Sequence, residues 1–401
     1  MIVLAGGDLV LPDRIQPTAS LLVDDGLIAA IEPGRARPAG ANVVDTTNCY
    51  VVPGFIDVHV HGVRGCDTLD GGDAISRVAA YLPQYGVTAF CPTTVACPPD
   101  VLRNFLDQVR WARVAGVSGS ARVLPAHLES NFINPDYRGA QPAACLRLPP
   151  GLTEVQQAYR SDPGEYSGVQ ILSAIAVSRP DVGIITLAPE LPGGIDLVRS
   201  LVGAGHLVSL GHSGADFETA VAAIAAGASH ATHLFNRMAP IAHRAPGLAG
   251  AVLAREEVTP ELICDGYHVH PAVCAVAIAA KGARNVMAIT DGTAGSGQPI
   301  GSAATLGGRA IHVRDQAAFL DDGTLAGSTL TMDQAFRNIV TSFRRSLVDA
   351  AWMCSTTPAR QLGLTELGRI EEAAVADLVV LDRDLRVIRT FIDGEEAFAA
   401  S

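Results

Sequence analysis

PGFIDVHVHG, residues 53–62, is the stretch of sequence that decides the fold. It is an apolar strand candidate whose end carries two histidines, His59 and His61. Four more apolar segments end in a histidine or a carboxylate: RVLPAHLES (122–130), HLVSLGHSG (206–214), SHATHLFN (229–236) and NVMAITDG (285–292). Reactive side chains at the carboxyl ends of several parallel strands are typical of the catalytic face of a (β/α)8 barrel.

Eight apolar strand candidates alternate with helical stretches, the pattern of repeated β–α units. They lie near residues 55–61, 88–95, 122–129, 183–189, 206–212, 229–234, 261–266 and 285–291. The count favours an α/β fold with a closed (β/α)8 TIM-like barrel, which we expect to span residues 53–362. Short alternating runs with turn pairs fill residues 1–52 and 363–401, so we expect both termini to form one small β-sandwich domain. GSGQPIG (295–301) follows the eighth strand and predicts a mobile loop over the site.

The composition excludes several classes of protein. Of 401 residues, 48% are hydrophobic, and the mean hydropathy is +0.27, which excludes disorder. A net charge of −12 argues against a nucleic-acid-binding surface. No apolar run approaches the roughly 20 residues that span a bilayer, and we expect no signal peptide because the N-terminus lacks a positive region. Eight cysteines without a CxxC pair indicate reduced thiols in a cytoplasmic enzyme.

Six side chains at the predicted strand ends form a candidate metal site: His59, His61, Glu129, His212, His233 and Asp291. Residues i and i+2 of a strand share a face, so His59 and His61 can bind one ion. Glu129 is the candidate bridging carboxylate, which would hold a second ion with His212 and His233. Nitrogen and oxygen ligands suit zinc, and also iron, manganese or cobalt. The residues therefore predict a metal-dependent hydrolase with two divalent ions per subunit.

Lys281 is the only lysine in the chain, and it follows a helix-like run before a glycine turn. A mechanism that needs a lysine at a strand end is therefore excluded. That removes Schiff-base chemistry, pyridoxal phosphate and metal centres bridged by a carbamylated lysine, so a carboxylate must bridge instead.

The remaining histidines are interpreted one by one. His268, in CDGYHVHP after the seventh strand, suits polarisation of a substrate carbonyl. Three others, His127, His206 and His230, are predicted to be structural. His270 is predicted to be a loop or helix-cap residue. The roles of His243 and His312 are left undecided.

Further motifs join these residues into one resemblance. They are HLE (127–129) followed by FINP (132–135) and RGA (138–140), TLAPE (186–190), GHS (211–213), THLFN (232–236), HRAPGLAG (243–250), DGYHV (265–269), ITD (289–291) and LAGSTLTM (325–332). With PGFIDVHVHG, they make the chain resemble the N-acetylglucosamine-6-phosphate deacetylases of the amidohydrolase superfamily over nearly its whole length. The resemblance implies a barrel with a small β-sandwich domain, a metal centre without carbamylated lysine, and hydrolysis of an acetamide.

The resemblance also implies roles for individual residues. His268 would contact the acetyl carbonyl of the substrate. Asn236 and its neighbour Arg237 would bind the phosphate of an amino-sugar phosphate. Arg244 would reach that phosphate from the adjacent subunit, which implies a homodimer.

The chain departs from the family pattern at four places near the site. Ser130-Asn131 replaces a usual Gly-Pro, and Gln141 replaces a histidine whose position contacts sugar hydroxyls. Arg237 replaces an alanine, and Gly292 replaces the alanine of a TDA triplet. None of these is a predicted metal ligand. They leave acetamide hydrolysis better supported than the identity of the sugar.

The favoured hypothesis is deacetylation of N-acetylglucosamine 6-phosphate to glucosamine 6-phosphate and acetate. Asp291 would accept a proton from water and deliver it to the departing amine, while His268 and a metal ion stabilise the oxyanion. A second hypothesis keeps the metal site for another N-acyl amino sugar or a cyclic amide, because Ser130, Asn131 and Gln141 differ from the pattern. A third, a metal-binding protein without activity, predicts broken ligands, yet every expected position is filled.

Overall fold

The centre of the fold is a parallel barrel, seen in a computed structural model that describes residues 1–150 and 166–400. Its strands are Phe55–Val60, Val87–Thr94, Arg122–Val123 with Ala126–Glu129, Val182–Leu187, Leu207–Leu210, His230–Ala231, Thr259–Ile263 and Met287–Ile289. Each pairs in parallel with the next along the chain. A parallel bridge between Val60 and Gly292 joins the eighth strand to the first. The predicted (β/α)8 barrel is therefore confirmed, with all eight strands where the sequence predicts them.

The helices pack outside the barrel through apolar faces. In Pro99–Ala115, the buried residues Leu102, Phe105, Leu106 and Val109 recur every three or four positions, as an amphipathic helix requires. The α-helices are Ala74–Tyr81, Pro99–Ala115, Gly168–Val177, Gly194–Gly203, Phe217–Ala225, Gly247–Ala254, Pro271–Lys281, Met332–Thr341, Leu347–Ala351 and Thr357–Gln361, with a π-helical turn at Trp352–Thr356. Short 3-10 turns are Leu82–Tyr85, Pro135–Tyr137, Ala143–Cys145, Arg179–Asp181 and Ala283–Asn285.

The barrel strands are buried on both faces, which explains why they read as continuous apolar runs rather than alternating ones. Phe55 at the start of the first strand stacks on Phe336, with ring centroids 5.1 Å apart. Phe336 belongs to the helix Met332–Thr341, which ties the last helices to the bottom of the barrel. Apolar side chains thus pack at the amino ends of the barrel strands, and polar residues lie at the carboxyl ends.

Both termini contribute to one separate sheet with its own apolar core, which includes Leu4, Leu21, Val51, Leu378 and Phe391. Its strands are Ile2–Val10, Ile15–Asp24, Leu27–Pro33, Asn42–Asp45, Tyr50–Pro53, Leu378–Leu381, Val387–Ile392 and Glu395–Ala399. The turn pair Asp25-Gly26 adopts φ values of 47° and 76°, as a tight two-residue hairpin turn requires. Arg122 of the barrel joins this sheet by an ion pair with Asp377 at 2.7 Å.

An antiparallel four-stranded sheet follows the eighth barrel strand and was not predicted from the sequence. Its strands are Ala303–Leu306, Arg309–Arg314, Ala317–Phe319 and Leu325–Ser328. This sheet, and not the Gly-rich run at 295–301, places residues over the barrel mouth, since Leu306, Leu325 and Gly327 line the pocket there. The Gly-rich run begins anchored, because the amide of Arg64 donates to the carbonyl of Ser296 at 2.8 Å. Among the described residues, no helix is long and apolar enough to cross a membrane.

Candidate metal centre and active site

The six predicted ligands all lie at the carboxyl end of the barrel. His59 lies in the first strand and His61 directly follows it, and Glu129 is the last residue of the third. His212, His233 and Asp291 each follow their strand by two residues. All six are buried, with exposed fractions between 0% and 7%. The fold therefore brings together residues that are up to 232 positions apart in the sequence.

Glu129, His212 and His233 form one half of the centre. Oε1 of Glu129 lies 2.7 Å from Nε2 of His212 and 2.9 Å from Nε2 of His233. The two imidazole nitrogens are 3.1 Å apart. The three ligand atoms thus face a single point.

His59, His61 and Asp291 form the other half. Nε2 of His59 lies 3.2 Å from Nε2 of His61, and Oδ1 of Asp291 lies 3.4 Å from the first and 3.3 Å from the second. Oε2 of Glu129 lies 3.6 Å from Nε2 of His61. Since the two oxygens of Glu129 face the two halves, its carboxylate has the orientation that a bridging ligand needs.

The hydrogen bonds at the outer nitrogens test whether this cluster fits a cation. Nδ1 of His212 donates to the carbonyl oxygen of Tyr137 at 2.8 Å, and Nδ1 of His59 donates to Glu261 at 2.9 Å. In the neutral imidazoles, Nε2 then carries only a lone pair. Lone pairs and carboxylate oxygens at contact distance repel one another unless positive charge lies among them. The donor set therefore fits a divalent cation.

The pKa values of the buried histidines and carboxylates also indicate that this cluster requires positive charge. Burial alone would lower the pKa of His233, but its hydrogen bond to Glu129 and the nearby carboxylates raise it to about 9. Burial would raise the pKa of Glu129, but His212 and His233 hold it well below its usual range. The pKa of Asp291 is likewise lowered, against burial, chiefly by His59 and His61. Protons on His61 and His233, whose pKa values are raised, thus balance the carboxylates, and a metal ion binds in competition with those protons.

Three of the predicted ligands have a strained backbone. The φ angles of His212, His233 and Asp291 are 48°, 30° and 47°, in the left-handed region that non-glycine residues seldom adopt. Such strain persists where surrounding contacts hold it, and it is common at functional sites.

Two carboxylates that the sequence analysis did not single out hold these strained turns. Glu190 accepts hydrogen bonds from Ser213 Oγ and the Gly214 amide, both at 2.7 Å, beside His212. Asp57 accepts from Thr290 Oγ1 at 2.5 Å, beside Asp291. The available signals were the TLAPE motif for Glu190 and, for Asp57, an acidic residue in the middle of an apolar strand.

One pocket opens onto this cluster. Four of the five residues predicted to bind substrate line this pocket: Gln141, Asn236, Arg237 and His268. The fifth, Arg244, does not line it and is exposed on the neighbouring loop. Arg237 is the only arginine among the described residues that line the pocket. The side chain of Arg237 lies against the backbone of Gly139, where an added Cβ would come within 2.5 Å of its Nε.

His268 is held by Asp265, another residue that sequence reasoning missed. Oδ2 of Asp265 lies 2.6 Å from Nδ1 of His268, and Oδ1 accepts from the amides of Tyr267 and His268. A proton on Nδ1 is thereby fixed. Donation to a substrate oxygen from Nε2 then requires a doubly protonated ring, whose charge the Asp265 carboxylate would balance.

Gln141 is engaged at both ends of its amide. Its Oε1 accepts from the amide of Ala96 at 2.7 Å, and its Nε2 donates to Oε2 of Glu129. The residue is therefore part of the wall of the metal cluster as well as of the pocket.

Three of the other histidines have local partners. His127 is fully buried between the carbonyl of Val58 and the hydroxyl of Thr186, at 2.9 and 2.8 Å. His206 lies 3.0 Å from the carbonyl of Val182, and His270 caps the helix Pro271–Lys281 by accepting from the amide of Ala272. These contacts agree with structural and capping roles.

Residues 50–397 match the model of the amidohydrolase family, and the chain belongs to that family. Within it, the chain is 36% identical to an N-acetylglucosamine-6-phosphate deacetylase from Vibrio furnissii, over 96% of this chain and 92% of the relative. It is 34% identical to an N-acetylgalactosamine-6-phosphate deacetylase from Escherichia coli O157:H7, over 94% of each.

The chain is also similar to solved structures of deacetylases of this kind. The chain matches a mutant N-acetyl-D-glucosamine-6-phosphate deacetylase from Mycobacterium smegmatis, solved in complex with N-acetyl-D-glucosamine-6-phosphate. That match has a TM-score of 0.87 and 31% identity over 99% of both chains. The predicted resemblance to the deacetylases of this superfamily is thereby confirmed.

Proposed function

We propose that the chain removes the N-acetyl group from an amino-sugar phosphate, converting N-acetylglucosamine 6-phosphate and water to glucosamine 6-phosphate and acetate. The observation that carries the proposal is the placement of Glu129 between two histidine pairs, with Asp291 beside them and a pocket directly outside. The relatives named for this reaction support the choice of substrate.

We propose two divalent ions, one held by His59, His61 and Asp291 and one by His212 and His233, with Glu129 shared. Zinc suits these ligands best, with iron, manganese or cobalt as alternatives. When bound, the ions supply Lewis acidity, which polarises an acyl oxygen and makes water a nucleophile near neutral pH.

Asp291 is the proposed proton carrier. Its carboxylate is ionised because its pKa is lowered, so it can accept a proton from the attacking water. The C–N bond breaks only when nitrogen leaves as an amine, since an amide anion is too basic to depart. Asp291 therefore returns the proton to that nitrogen, and the acyl group leaves as acetate.

His268 and the two residues Asn236 and Arg237 would position the substrate. His268, fixed by Asp265, would donate from Nε2 to the acyl oxygen as negative charge develops on it. The guanidinium of Arg237 offers a charge-assisted contact to a phosphate at the pocket rim. The acetyl group and the phosphate would thus lie at opposite ends of one pocket.

Acetate release is the direct test. Purified protein is assayed with N-acetylglucosamine 6-phosphate, N-acetylgalactosamine 6-phosphate and unphosphorylated N-acetylglucosamine. We expect release from the first to exceed that from the third by at least about tenfold, because a charged hydrogen bond contributes on the order of 1.5–3 kcal/mol. The Asp291→Asn protein, prepared identically, controls for a contaminating deacetylase. Absence of acetate from all three substrates would refute the proposal.

A second candidate is deacetylation of another N-acyl amino sugar, and a specific residue favours it. Gln141 stands where the family has a histidine that contacts sugar hydroxyls, and its amide is already engaged with Ala96 and Glu129. The chain is 34% identical to the galactosamine relative and 36% identical to the glucosamine relative, so overall identity does not separate the two sugars. In the same assay, faster turnover of the galactosamine isomer would favour this candidate; activity on a cyclic amide alone would favour a broader amidohydrolase.

We further propose a homodimer in which Arg244 completes the neighbouring site. Arg244 is exposed on the loop that follows the pocket residues Asn236 and Arg237, and it does not line the pocket of its own chain within the described residues. Mixed dimers test this, because Asp291→Asn and Arg244→Met chains should each be impaired alone. A hybrid dimer would contain one intact site, so reassociated mixtures should recover about a quarter of wild-type activity. No recovery from proven hybrids would contradict the shared site.

A reducing, cytoplasmic setting is also proposed. All eight cysteines are free, and six of them are buried. Burial raises the pKa of the Cys354 and Cys264 thiols, which keeps them protonated and unreactive.

A further inference from the structure

Glu261 is a fully buried carboxylate inside the barrel. It lies in the seventh strand, Thr259–Ile263, and its exposed fraction is 0%. A carboxylate is rarely buried unless it is paired, because desolvation of its charge is costly. Its contacts therefore indicate why the chain keeps it there.

One oxygen of Glu261 joins the two halves of the metal cluster. Oε2 accepts from Nδ1 of His59 at 2.9 Å and from the backbone amide of His233 at 3.3 Å. His59 belongs to one half and His233 to the other. The carboxylate thus contacts one ligand residue from each proposed metal position.

The contact with His59 fixes a tautomer. An ionised carboxylate only accepts hydrogen bonds, so the proton of a neutral His59 lies on Nδ1 and the lone pair of Nε2 points at the cluster. Metal-binding histidines commonly depend on such a partner, and loss of the partner typically lowers metal affinity by about 10–100-fold.

The contact with His233 holds a strained turn. The φ angle of His233 is 30°, and the next amide, that of Leu234, donates to the backbone carbonyl of Glu261 at 2.9 Å. Side chain and main chain of Glu261 therefore both hold the turn that presents His233.

The remaining oxygen of Glu261 has no comparable partner. Oε1 lies 3.7 Å from Nδ1 of His127 and makes no hydrogen bond within the described parts of the chain. Glu261, His59 and His127 are close enough to hold an ion themselves. However, both nitrogens of His127 are engaged with Val58 and Thr186, so this group lacks free ligands.

We propose that Glu261 is a positioning residue that fixes the tautomer of His59 and the turn of His233, and so couples the two metal positions. The inference rests on the metal centre of the proposed function. It predicts that the charge of Glu261, which is fully buried and does not line the pocket, determines how tightly metal is held.

The test measures metal retention directly. Zinc-loaded wild type and Glu261→Gln are dialysed against graded chelator, and ions per chain are counted by mass spectrometry. We expect Glu261→Gln to release zinc at about 10–100-fold lower chelator activity. Asp181→Asn is the matched control, since it also removes a buried carboxylate, which pairs with Arg110 and Arg113 on the outside of the barrel. It should retain zinc like the wild type.

A double-mutant cycle separates positioning from general destabilisation. Once His59→Gln has removed the imidazole, adding Glu261→Gln should weaken zinc binding much less than it does in the wild type. If Glu261→Gln does not fold, Glu261→Asp keeps the charge at shorter reach and should give an intermediate loss.

Zinc retention equal to wild type in the folded Glu261 variants, or full additivity in the cycle, would overturn the inference. A wild-type protein that binds no metal would instead contradict the proposed metal centre, so the two failures are distinguishable.

Discussion

Replacement of Asp291 by asparagine tests the proposed proton transfer with little change in shape. The amide keeps an oxygen at the position that lies 3.4 and 3.3 Å from the imidazoles of His59 and His61. It cannot accept the proton that the reaction must move. The backbone φ of 47° also favours this substitution, because asparagine and aspartate tolerate the left-handed region better than other non-glycine residues.

The expected loss follows from the chemistry of the group. General acid–base catalysis contributes about 10²–10⁴-fold, equivalent to roughly 2.7–5.4 kcal/mol in the barrier. Because asparagine also ligates a cation more weakly than a carboxylate, we expect a loss near the upper end of that range. The other ligands, Glu129, His212 and His233, should keep at least one ion in place.

The assay is acetate release under saturating substrate, with ions per chain counted on the same sample. Asp315→Asn is the matched control, since Asp315 is exposed and adopts a φ of 51° in a turn outside the pocket. It should leave turnover unchanged. Turnover of Asp291→Asn within tenfold of wild type, with metal bound, would refute the assigned role.

Three further predictions concern the phosphate, the metal and acid stability. Arg237→Met should raise KM for the phosphorylated sugar by about 10–100-fold and leave the unphosphorylated sugar unaffected, since one charged contact is lost; equal effects on both sugars in steady-state assays would contradict this. Chelation should abolish acetate release and lower Tm, because the facing carboxylates and imidazoles lose the cation between them, and added zinc should restore both; full activity of the verified metal-free protein would refute it. Burial lowers the pKa of His230 to about 3, so the folded protein keeps this ring neutral while the unfolded chain protonates it below about pH 6.5. The free energy of unfolding should therefore decrease as the pH falls below that value, and the decrease should reach about 1.4 kcal/mol at pH 5.5. In urea unfolding at pH 7.5 and 5.5, the free energy of unfolding of His230→Phe should fall by about 1.4 kcal/mol less than that of the wild type. An equal fall in both proteins would contradict this prediction.

Much of the fold could be predicted because the decisive signals are local. PGFIDVHVHG is an apolar strand that ends in two histidines, and its period places both on one face. Repetition of that pattern predicted the eight barrel strands. The four-stranded sheet between Ala303 and Ser328 was missed, because short hairpins with small residues give a weak periodic signal.

The residue types that can bind a cation were also fixed by the sequence, and so was their position at strand ends. A closed parallel barrel turns all those ends to one side, so their convergence followed from the fold class. The absence of any lysine except Lys281 left a carboxylate as the candidate bridge.

Only the tertiary structure decided how these side chains are held. Glu261 meets His59 across 202 positions of sequence, and Gln141 meets Glu129 through a loop whose path no local pattern specifies. The left-handed turns at His212, His233 and Asp291 depend likewise on distant partners. Hydrogen bonds of this kind require distances defined to a few tenths of an ångström, and those distances are set by the packing of whole strands and loops.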